Sequence, residues 1–451
     1  MRVEYYYLIL IILFVAIISF HGFNIKKLSS NSNLLKIKNF NISYSKYQFE
    51  SNPYHIYFIN ATINNFNFSL PSLYNVSSSV LGPISYYNNS IIVPLSSNNN
   101  NFNFSQYWGG VISINASNGK MNWIHYFNDK IMTQPIIYNG IIYVGLGSGY
   151  YDPTKYANGI VAINASNGKT YWTKYLDSEH MPTFLYYNIT LLVAPGIGIP
   201  INNSTGIIYF LNASTGVVIN KINLSSESEM SSILNVNNTA YFGAVKFNLS
   251  IKSLNYTKIF KNSFYAINLK THSISWIDNF SSSLGMQDSS PVYSKGVIIT
   301  GYTSSVKNAT ITLLGLDYEN GSLIWRFTSP EHGNFTSNNI QLPPLTVYKD
   351  VVYSDSPSIG YLYAINASTG KFLWQFYTGP TSANVNIINN FIVILNDKGE
   401  LYTVNLNGKL INKRNIGISA GPEDIIQIGD NIILYGDSNK IEIVPINFLF
   451  S

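Results

Sequence analysis

The sequence contains no cysteine and few charged residues. Its 451 residues include no Cys, and Asp, Glu, Lys and Arg together make up 11%, against about 25% in ordinary soluble proteins. The absence of cysteine excludes disulfide bonds, cysteine-ligated zinc and thiol catalysis. The net charge is +5, but the basic residues are scattered along the chain and form no stripe. The sequence therefore predicts that no nucleic acid is a partner.

A short phrase recurs along the chain. Its clearest copies stand at 115–120, 164–169, 212–216 and 366–371 and read Asn-Ala-Ser-x-Gly; a tryptophan follows in three of them, whereas Asn220 takes that place in the third copy. The Asn side chain can bond the backbone two residues on, and the Gly supplies the positive φ that closes a turn. Because apolar runs flank each copy, we interpret the phrase as the turn of a β-hairpin. Including weaker copies, the spacing is roughly 40–55 residues, which is typical of a four-stranded propeller blade.

The fullest copy is Ala-Ile-Asn-Ala-Ser-Thr-Gly-Lys-Phe-Leu-Trp at 364–374. It resembles the repeat of the pyrroloquinoline-quinone-type (PQQ-like) β-propellers, whose pattern is roughly Ala-Leu-Asp-Ala-x-Thr-Gly-x-x-x-Trp. The resemblance covers about residues 80–445. It implies an all-β propeller of four-stranded antiparallel blades, but it says little about activity.

Eight segments open a blade with a short strand, a tight turn and a second strand. Only about three strands follow the start of the last segment, so we expect the alternating stretch 54–70 to complete that blade and close an eight-bladed ring. A seven-bladed ring is the alternative if residues 420–451 form a cap. The openings lie near Ile84, Pro135, Thr183, Ser232, Pro291, Pro344, Asn384 and Asp424.

The chain begins with an apolar stretch at residues 5–20. This length is short for a membrane span and fits the apolar core of a signal sequence, but the residues after it form a poor cleavage site. We therefore interpret residues 1–23 as a signal peptide or an uncleaved N-terminal membrane anchor, that is, a transmembrane helix. Residues 24–53 are then a polar linker, and residues 54–451 form the propeller.

The sequence contains 21 Asn-x-Ser/Thr sites between Asn41 and Asn366. We interpret them as N-glycosylation sites of a secreted or cell-surface protein. The alternative is that they reflect only the high Asn and Ser content of the chain. Four of the sites fall in the blade turn, where the family pattern has Asp, and these are our glycosylation candidates: Asn115, Asn164, Asn212 and Asn366.

The segments between blades hold many of the scarce acidic residues, and two of these are followed by histidine. Carboxylates with histidine could bind a cation or a sugar; the alternative is that these segments are simply solvated. Because loops carry function more often than core strands do, we name as candidate metal ligands Glu179, His180, Asp288, Glu331 and His332.

The resemblance leaves the activity open between two classes. Quinoprotein dehydrogenases of this family hold the quinone on a calcium ion, use an aspartate base and in many members have a disulfide of adjacent cysteines. This chain has no Cys, and no residue in it can be matched to their base or calcium ligands. We therefore expect a non-enzymatic surface scaffold without a cofactor, which binds a protein or a glycan on the face that carries the blade linkers. The alternative is a dehydrogenase of alcohols or sugars that uses PQQ and calcium.

Overall fold

The computed structural model describes most of the predicted propeller. The predicted signal or anchor segment, 1–23, and the predicted linker, 24–53, lie outside the described residues. Within the described part of the chain, no helix is long and apolar enough to cross a membrane. The described residues are 58–73, 77–80, 82–97, 108–147, 159–176, 180–196, 206–224, 232–247, 259–280, 290–303, 308–333, 345–356, 359–381, 383–418, 425–436 and 438–451.

The strands form eight sheets, which are the blades of an eight-bladed propeller. Two strands precede the first blade, β1 (Phe58–Ile59) and β2 (Asn67–Ser69). Blades one to four then contain β3 (Ser78–Ser79), β4 (Ser85–Tyr87), β5 (Ser90–Ser97), β6 (Gly109–Asn115) and β7 (Met121–Phe127); β8 (Ile136–Tyr138), β9 (Ile141–Leu146), β10 (Gly159–Asn164) and β11 (Thr170–Tyr175); β12 (His180–Tyr187), β13 (Thr190–Gly196), β14 (Ile207–Asn212) and β15 (Val218–Asn223); β16 (Leu234–Val236), β17 (Thr239–Phe247), β18 (Ile259–Asn268) and β19 (Ser273–Phe280).

The second half of the ring repeats this arrangement. A short 3-10 helix, Ile446–Leu449, follows the last strand. Blades five to eight contain β20 (Val292–Ser294), β21 (Val297–Thr303), β22 (Ile311–Asp317) and β23 (Leu323–Thr328); β24 (Thr346–Tyr348), β25 (Val351–Ser354), β26 (Tyr361–Asn366) and β27 (Phe372–Tyr377); β28 (Asn386–Ile388), β29 (Phe391–Leu395), β30 (Glu400–Asn405) and β31 (Leu410–Asn415); β32 (Ile425–Ile428), β33 (Asn431–Leu434) and β34 (Lys440–Pro445).

Each blade runs from the axis of the ring outwards. In blades two to seven the four strands pair antiparallel in chain order, whereas in blade one both β3 and β4 pair with β5. The first strands of neighbouring blades contact one another, as β8 does with β12 and β20 with β24. The first strands therefore line the axis. The fourth strands form the rim, where β15 alternates between half-buried and exposed residues.

Blade eight is closed by residues from the beginning of the propeller. Strand β2 pairs antiparallel with β34, and β1 pairs parallel with the axial strand β32. We call residues 58–73 the closing segment, because it contacts both edges of blade eight. Between its two strands, Asn431 Nδ2 donates to Ile63 O at 2.9 Å, and Asn64 N donates to Ala116 O at 3.1 Å. The prediction of eight blades is thus confirmed, and the final residues belong to a blade rather than a cap.

The hydrophobic core lies between blades, since each blade covers a face of the next. We call the interface between two neighbouring blades a seam. The seam between blades one and two buries Ile92 and Val111 against Ile142 and Val161. The seam between blades seven and eight is formed in the same way, from Val393 and its neighbours against Ile432 and its neighbours. A strand that is covered on both faces is mostly apolar; β21 is buried at every position, and its polar residues are Thr300 and Thr303.

The recurrent tryptophans join neighbouring blades. Trp172 on β11 lies over the turn of blade three, where its Nε1 donates to Ala213 O at 3.0 Å. A Cβ added at Gly216 would stand 2.6 Å from the Trp172 ring, and this glycine has a φ of +69°. The glycine is therefore required both by the turn and by the ring that covers it. The same arrangement pairs Trp123 with Gly168, Trp276 with Gly321, Trp325 with Gly370 and Trp374 with Gly408.

The seam between blades three and four lacks this pair and is packed differently. Asn220 replaces the tryptophan, and Phe210 faces it on the neighbouring strand, where the blades with tryptophan carry Ser, Ala or Gly. The Phe210 ring stacks on His272, with centroids 4.1 Å apart. His272 occupies the glycine position with a φ of +53°. Three linked replacements therefore fill the space that the tryptophan would occupy.

Candidate functional site

The two faces of the ring carry different connections. Because strands alternate in direction, the linkers between blades and the loops between second and third strands share one face, which we call the linker face. The turns with the Asn-Ala-Ser phrase lie on the opposite face, which we call the turn face. Of the predicted ligands, Glu179 and Asp288 lie outside the described residues, and His180 is described only as the first backbone position of β12.

Glu331 lies on the linker face after β23 and holds the linker to blade six. Tyr363 OH donates to Glu331 Oε2 at 3.0 Å, and Gln375 Nε2 donates to Glu331 Oε1. Burial of the phenol, together with its hydrogen bond to Glu331, raises the pKa of Tyr363 above its usual range. His332 is exposed, and its Nδ1 lies 3.3 Å from Asn308 O. The structure thus gives the two neighbouring residues different partners rather than one shared ligand site.

A carboxyl group that we did not single out from the sequence lies nearby at the end of β25. Asp355 is fully buried; Ser356 N donates to its Oδ1 at 2.6 Å, and the Thr378 hydroxyl lies 3.3 Å from Oδ2. Burial raises the pKa of Asp355 well above its usual range, and the hydrogen bonds from Ser356 and Thr378 only partly oppose this. Burial therefore favours the neutral form of Asp355 over the carboxylate.

A hydrogen-bond network leads from Thr378 to the rim of blade seven. Asn396 Nδ2 donates to Thr378 O at 2.8 Å and to Glu400 Oε2 at 2.9 Å. Lys413 Nζ lies 2.7 Å from Glu400 Oε1, and Tyr402 OH donates to Glu400 Oε2. The hydrogen bond from Lys413, with those from Asn396 and Tyr402, lowers the pKa of Glu400 to about 2. The surroundings thus favour the ionised form of Glu400 and the neutral form of Asp355.

Replacement of Asp355 by asparagine is expected to flatten the pH dependence of stability. The raised pKa of Asp355 means that the folded protein binds a proton that the unfolded chain has lost. The contribution of Asp355 to the free energy of unfolding is therefore complete below the pKa that the group has in the unfolded chain. It falls by about 1 kcal/mol per pH unit as the pH rises towards the pKa in the folded protein. Chemical unfolding between pH 4.5 and 7 measures it. Thr381→Val, which removes a neutral group that bonds Leu395 O, is the control and should leave the slope unchanged; an unchanged slope in Asp355→Asn would contradict the prediction.

The carboxyl groups of this region do not fit the calcium and quinone that the fold family implies. Glu331 and Glu400 are occupied by internal hydrogen bonds, and Asp355 is fully buried. Within the part of the chain that the structure describes, no group of three or more His, Asp or Glu side chains could hold a metal ion. We therefore derive no reaction step through this cofactor.

The turn face carries the predicted glycosylation sites. Asn115, Asn164 and Asn212 each accept a hydrogen bond through Oδ1 from the backbone N–H two residues on, at 2.8–3.0 Å. Asn366 Oδ1 accepts from Thr369 N at 2.9 Å. The turn chemistry that the sequence predicted is therefore present in all four turns. Each of these asparagines is half-buried at the end of a third strand, next to exposed turn residues.

Fold and turn geometry together define a β-propeller of the PQQ-repeat class. The chain belongs to the family described as outer membrane protein assembly factor BamB, whose model matches residues 90–290 and 261–432. The suspected family is thus confirmed, although the match does not separate its catalytic from its non-catalytic members.

Three similar proteins illustrate how widely the fold is used. The chain is 25% identical over 271 residues to tetrathionate hydrolase of Acidithiobacillus ferrooxidans; the match covers 57% of this chain and about half, 49%, of the relative. BamB from Moraxella catarrhalis has a TM-score of 0.55 at 15% identity, over 85% of this chain and 99% of that structure. Quinohemoprotein alcohol dehydrogenase from Comamonas testosteroni has a TM-score of 0.62 at 11% identity, over 88% and 79%. The two structural likenesses show the fold alone.

Proposed function

We propose that this chain is an extracellular, N-glycosylated propeller that binds another protein through its linker face, without catalysis and without a resident cofactor. The observation that carries the proposal is the state of the linker-face carboxyl groups. Glu331 accepts hydrogen bonds from Tyr363 and Gln375 of the neighbouring blade. Asp355 accepts one from Ser356, and Glu400 accepts one from Asn396, within their own blades. Groups held in this way fix the shape of a surface and are not presented to a reacting molecule.

The family description supports a protein as the partner, because it names an assembly factor. A glycan is the other partner class that a polar, aromatic-rich surface suits. Location outside the cell and attachment through residues 1–23 are part of the proposal and rest on the apolar N-terminal stretch and the sequons.

Site-specific photo-crosslinking tests the proposed binding face. A photoreactive amino acid at His332, exposed on the linker face, is expected to give one discrete crosslinked protein in cells that produce this chain. The same amino acid at Asn407, exposed on the turn face of blade seven, is the matched control and should give none. Equal crosslinking from both positions, or none from His332, would count against a linker-face partner.

Hydrolysis of tetrathionate is a second candidate, and the sequence relationship favours it. The relative with that activity matches 271 residues of this chain. Incubation of the purified protein with tetrathionate at acidic and neutral pH, followed by measurement of residual tetrathionate and of sulfate, decides between hydrolase and binding protein. If the protein hydrolyses tetrathionate and heat denaturation abolishes this activity, the protein is a hydrolase and the binding proposal is wrong.

The dehydrogenase alternative is tested by its cofactor. Calorimetric titration of residues 24–451 with pyrroloquinoline quinone and calcium, with an absorbance spectrum alongside, is expected to show no saturable binding. Tight binding with a quinone absorbance band, accompanied by dye-linked oxidation of an alcohol or sugar, would establish a quinoprotein instead.

A further inference from the structure

The four turn sequons differ in what their serine hydroxyl does, although the asparagine of each accepts a backbone hydrogen bond through Oδ1. N-glycosylation requires the hydroxyl of the Asn-x-Ser/Thr motif as well as the asparagine amide. An enzyme that modifies a folded chain must therefore reach both groups. The hydroxyl partners of Ser117, Ser166, Ser214 and Ser368 decide how accessible each site is.

Three of these hydroxyls are already bonded within the protein. Ser117 Oγ donates to Asn89 Oδ1 at 3.0 Å, on the neighbouring turn of blade one. Ser368 Oγ donates at 2.7 Å to Asp350, a carboxylate that also binds Lys295 at 2.9 Å. In these two turns, the hydrogen bond from the serine hydroxyl to a neighbouring turn must break before the asparagine can be glycosylated.

In the sequon of Asn164, both the serine hydroxyl and the asparagine amide make hydrogen bonds within the blade. Ser166 Oγ donates to Asn164 Oδ1 at 2.6 Å, and Asn164 Nδ2, the atom that would carry the sugar, donates to Tyr171 OH at 2.5 Å. Both reacting groups of this site are therefore engaged.

The turn of Asn212 lacks such bonds. Among the four turns, Ser214 is the one whose hydroxyl makes no hydrogen bond within the described residues, and Ser214 itself is exposed. The turn is held through its backbone, where Ala213 N donates to Ile189 O at 2.8 Å. Its neighbours Ile189 and Val217 are apolar and are 64% and 62% exposed.

We propose that Asn212 is the preferred acceptor among the turn sequons when a glycan is transferred to the folded protein. In this step the Asn212 amide nitrogen bonds to the anomeric carbon of a lipid-pyrophosphate-linked oligosaccharide. The bond from that carbon to the pyrophosphate oxygen breaks, the lipid pyrophosphate leaves, and one amide proton passes to a base of the transferase. The inference rests on the extracellular, glycosylated state proposed above and assigns its site.

An in vitro transfer experiment tests the preference. Folded, unglycosylated protein is incubated with a purified single-subunit oligosaccharyltransferase and its lipid-linked donor, and site occupancy over time is measured by glycopeptide mass spectrometry. Asn212 should be modified about fivefold faster than Asn115, the factor expected when one neutral hydrogen bond must break first. Its advantage over Asn164, where two groups are bonded, and over Asn366, where the serine bonds a carboxylate, should be at least as large. Protein that is unfolded in urea and then diluted directly into the transferase reaction should be modified at similar rates at all four sites, because the hydrogen bonds of the folded turns are absent. Equal rates in the folded protein, a slower Asn212, or no transfer in either form would overturn the inference.

A matched variant separates hydroxyl access from other differences between the turns. Asn89→Gly removes the acceptor of Ser117 and suits the φ of +60° at that position, so it should raise the rate at Asn115 towards that at Asn212. An unchanged rate at Asn115 in a variant with an unchanged melting temperature would also overturn the inference. Glycopeptides from the natively produced protein provide a separate test of the proposed function, because absence of any glycan there would remove glycosylation itself, whatever the order of rates in vitro.

Discussion

Removal of residues 1–73 is expected to prevent the propeller from closing, so that the remaining chain aggregates instead of folding as a monomer. The truncation deletes the outer strand of blade eight and exposes the edge of β34, and an open apolar sheet edge pairs with other chains. It also removes Ile63 and Leu73, which are buried in the seam between blades eight and one. Each such side chain is worth about 2–5 kcal/mol, and a domain has only about 5–15 kcal/mol in total. Size-exclusion chromatography with light scattering measures the outcome.

A shorter truncation and a peptide provide the controls for this experiment. Removal of residues 1–53 retains the closing segment, so this protein should remain monomeric with an unchanged melting temperature. A synthetic peptide of residues 54–75, added during refolding, should restore monomers to the longer truncation, because the missing strand can pair in trans. A monomeric and equally stable protein without residues 1–73 would show that the ring is closed by other contacts.

Replacement of Trp172 by alanine is expected to lower the free energy of unfolding by about 3–5 kcal/mol, the usual cost of truncating a packed tryptophan. The variant loses the hydrogen bond from Nε1 to Ala213 O and the cover over Gly216. It also loses the ring contact with Tyr143, whose centroid lies 6.0 Å from that of Trp172. Denaturant unfolding monitored by circular dichroism measures the change.

A double-mutant cycle with Gly216→Ala identifies the seam as the cause. The added methyl group would meet the Trp172 ring at 2.6 Å, and the turn has a positive φ, so the single variant should lose about 1–3 kcal/mol. When Trp172 is also alanine, the clash disappears and only the backbone cost remains. The double variant should therefore lose less than the sum of the single variants. Strict additivity would show that tryptophan and glycine act independently.

The elements that were predicted correctly depend on residues close together in the chain. In the turn at 212–216, the Asn212 side chain bonds the backbone two and three residues on, and Gly216 supplies the positive φ. These interactions span fewer than six residues, so a short sequence phrase reports them. Repetition of the phrase at the spacing of one blade then predicts the propeller, and the count of openings predicts eight blades.

The surroundings of Asp355 and Glu331 could not be predicted, because residues distant in sequence contribute to them. Burial raises the pKa of Asp355, and Thr378, whose hydroxyl partly opposes this, lies 23 residues further along the chain. Glu331, which the sequence suggested as a cation ligand, bonds Tyr363 and Gln375 across a blade seam, 32 and 44 residues away. A sequence shows that a carboxyl group is present, but burial and partners decide whether it holds a proton, a metal or a loop.

The class of fold, the blade turn and the position of the recurrent tryptophan can be predicted from the sequence alone, since each follows from local backbone chemistry and from the period of the repeat. The sequence also predicted that residues 54–70 close the ring, but the second contact of this segment, at the axis, and the packing between blades are visible only in the folded structure. The parallel pairing of β1 with β32 joins residues more than 360 positions apart. Phe210 and His272 are brought together to replace a missing tryptophan, although they lie on different blades. Such contacts are set by the packing of one blade on the next, and no local pattern in the chain records them.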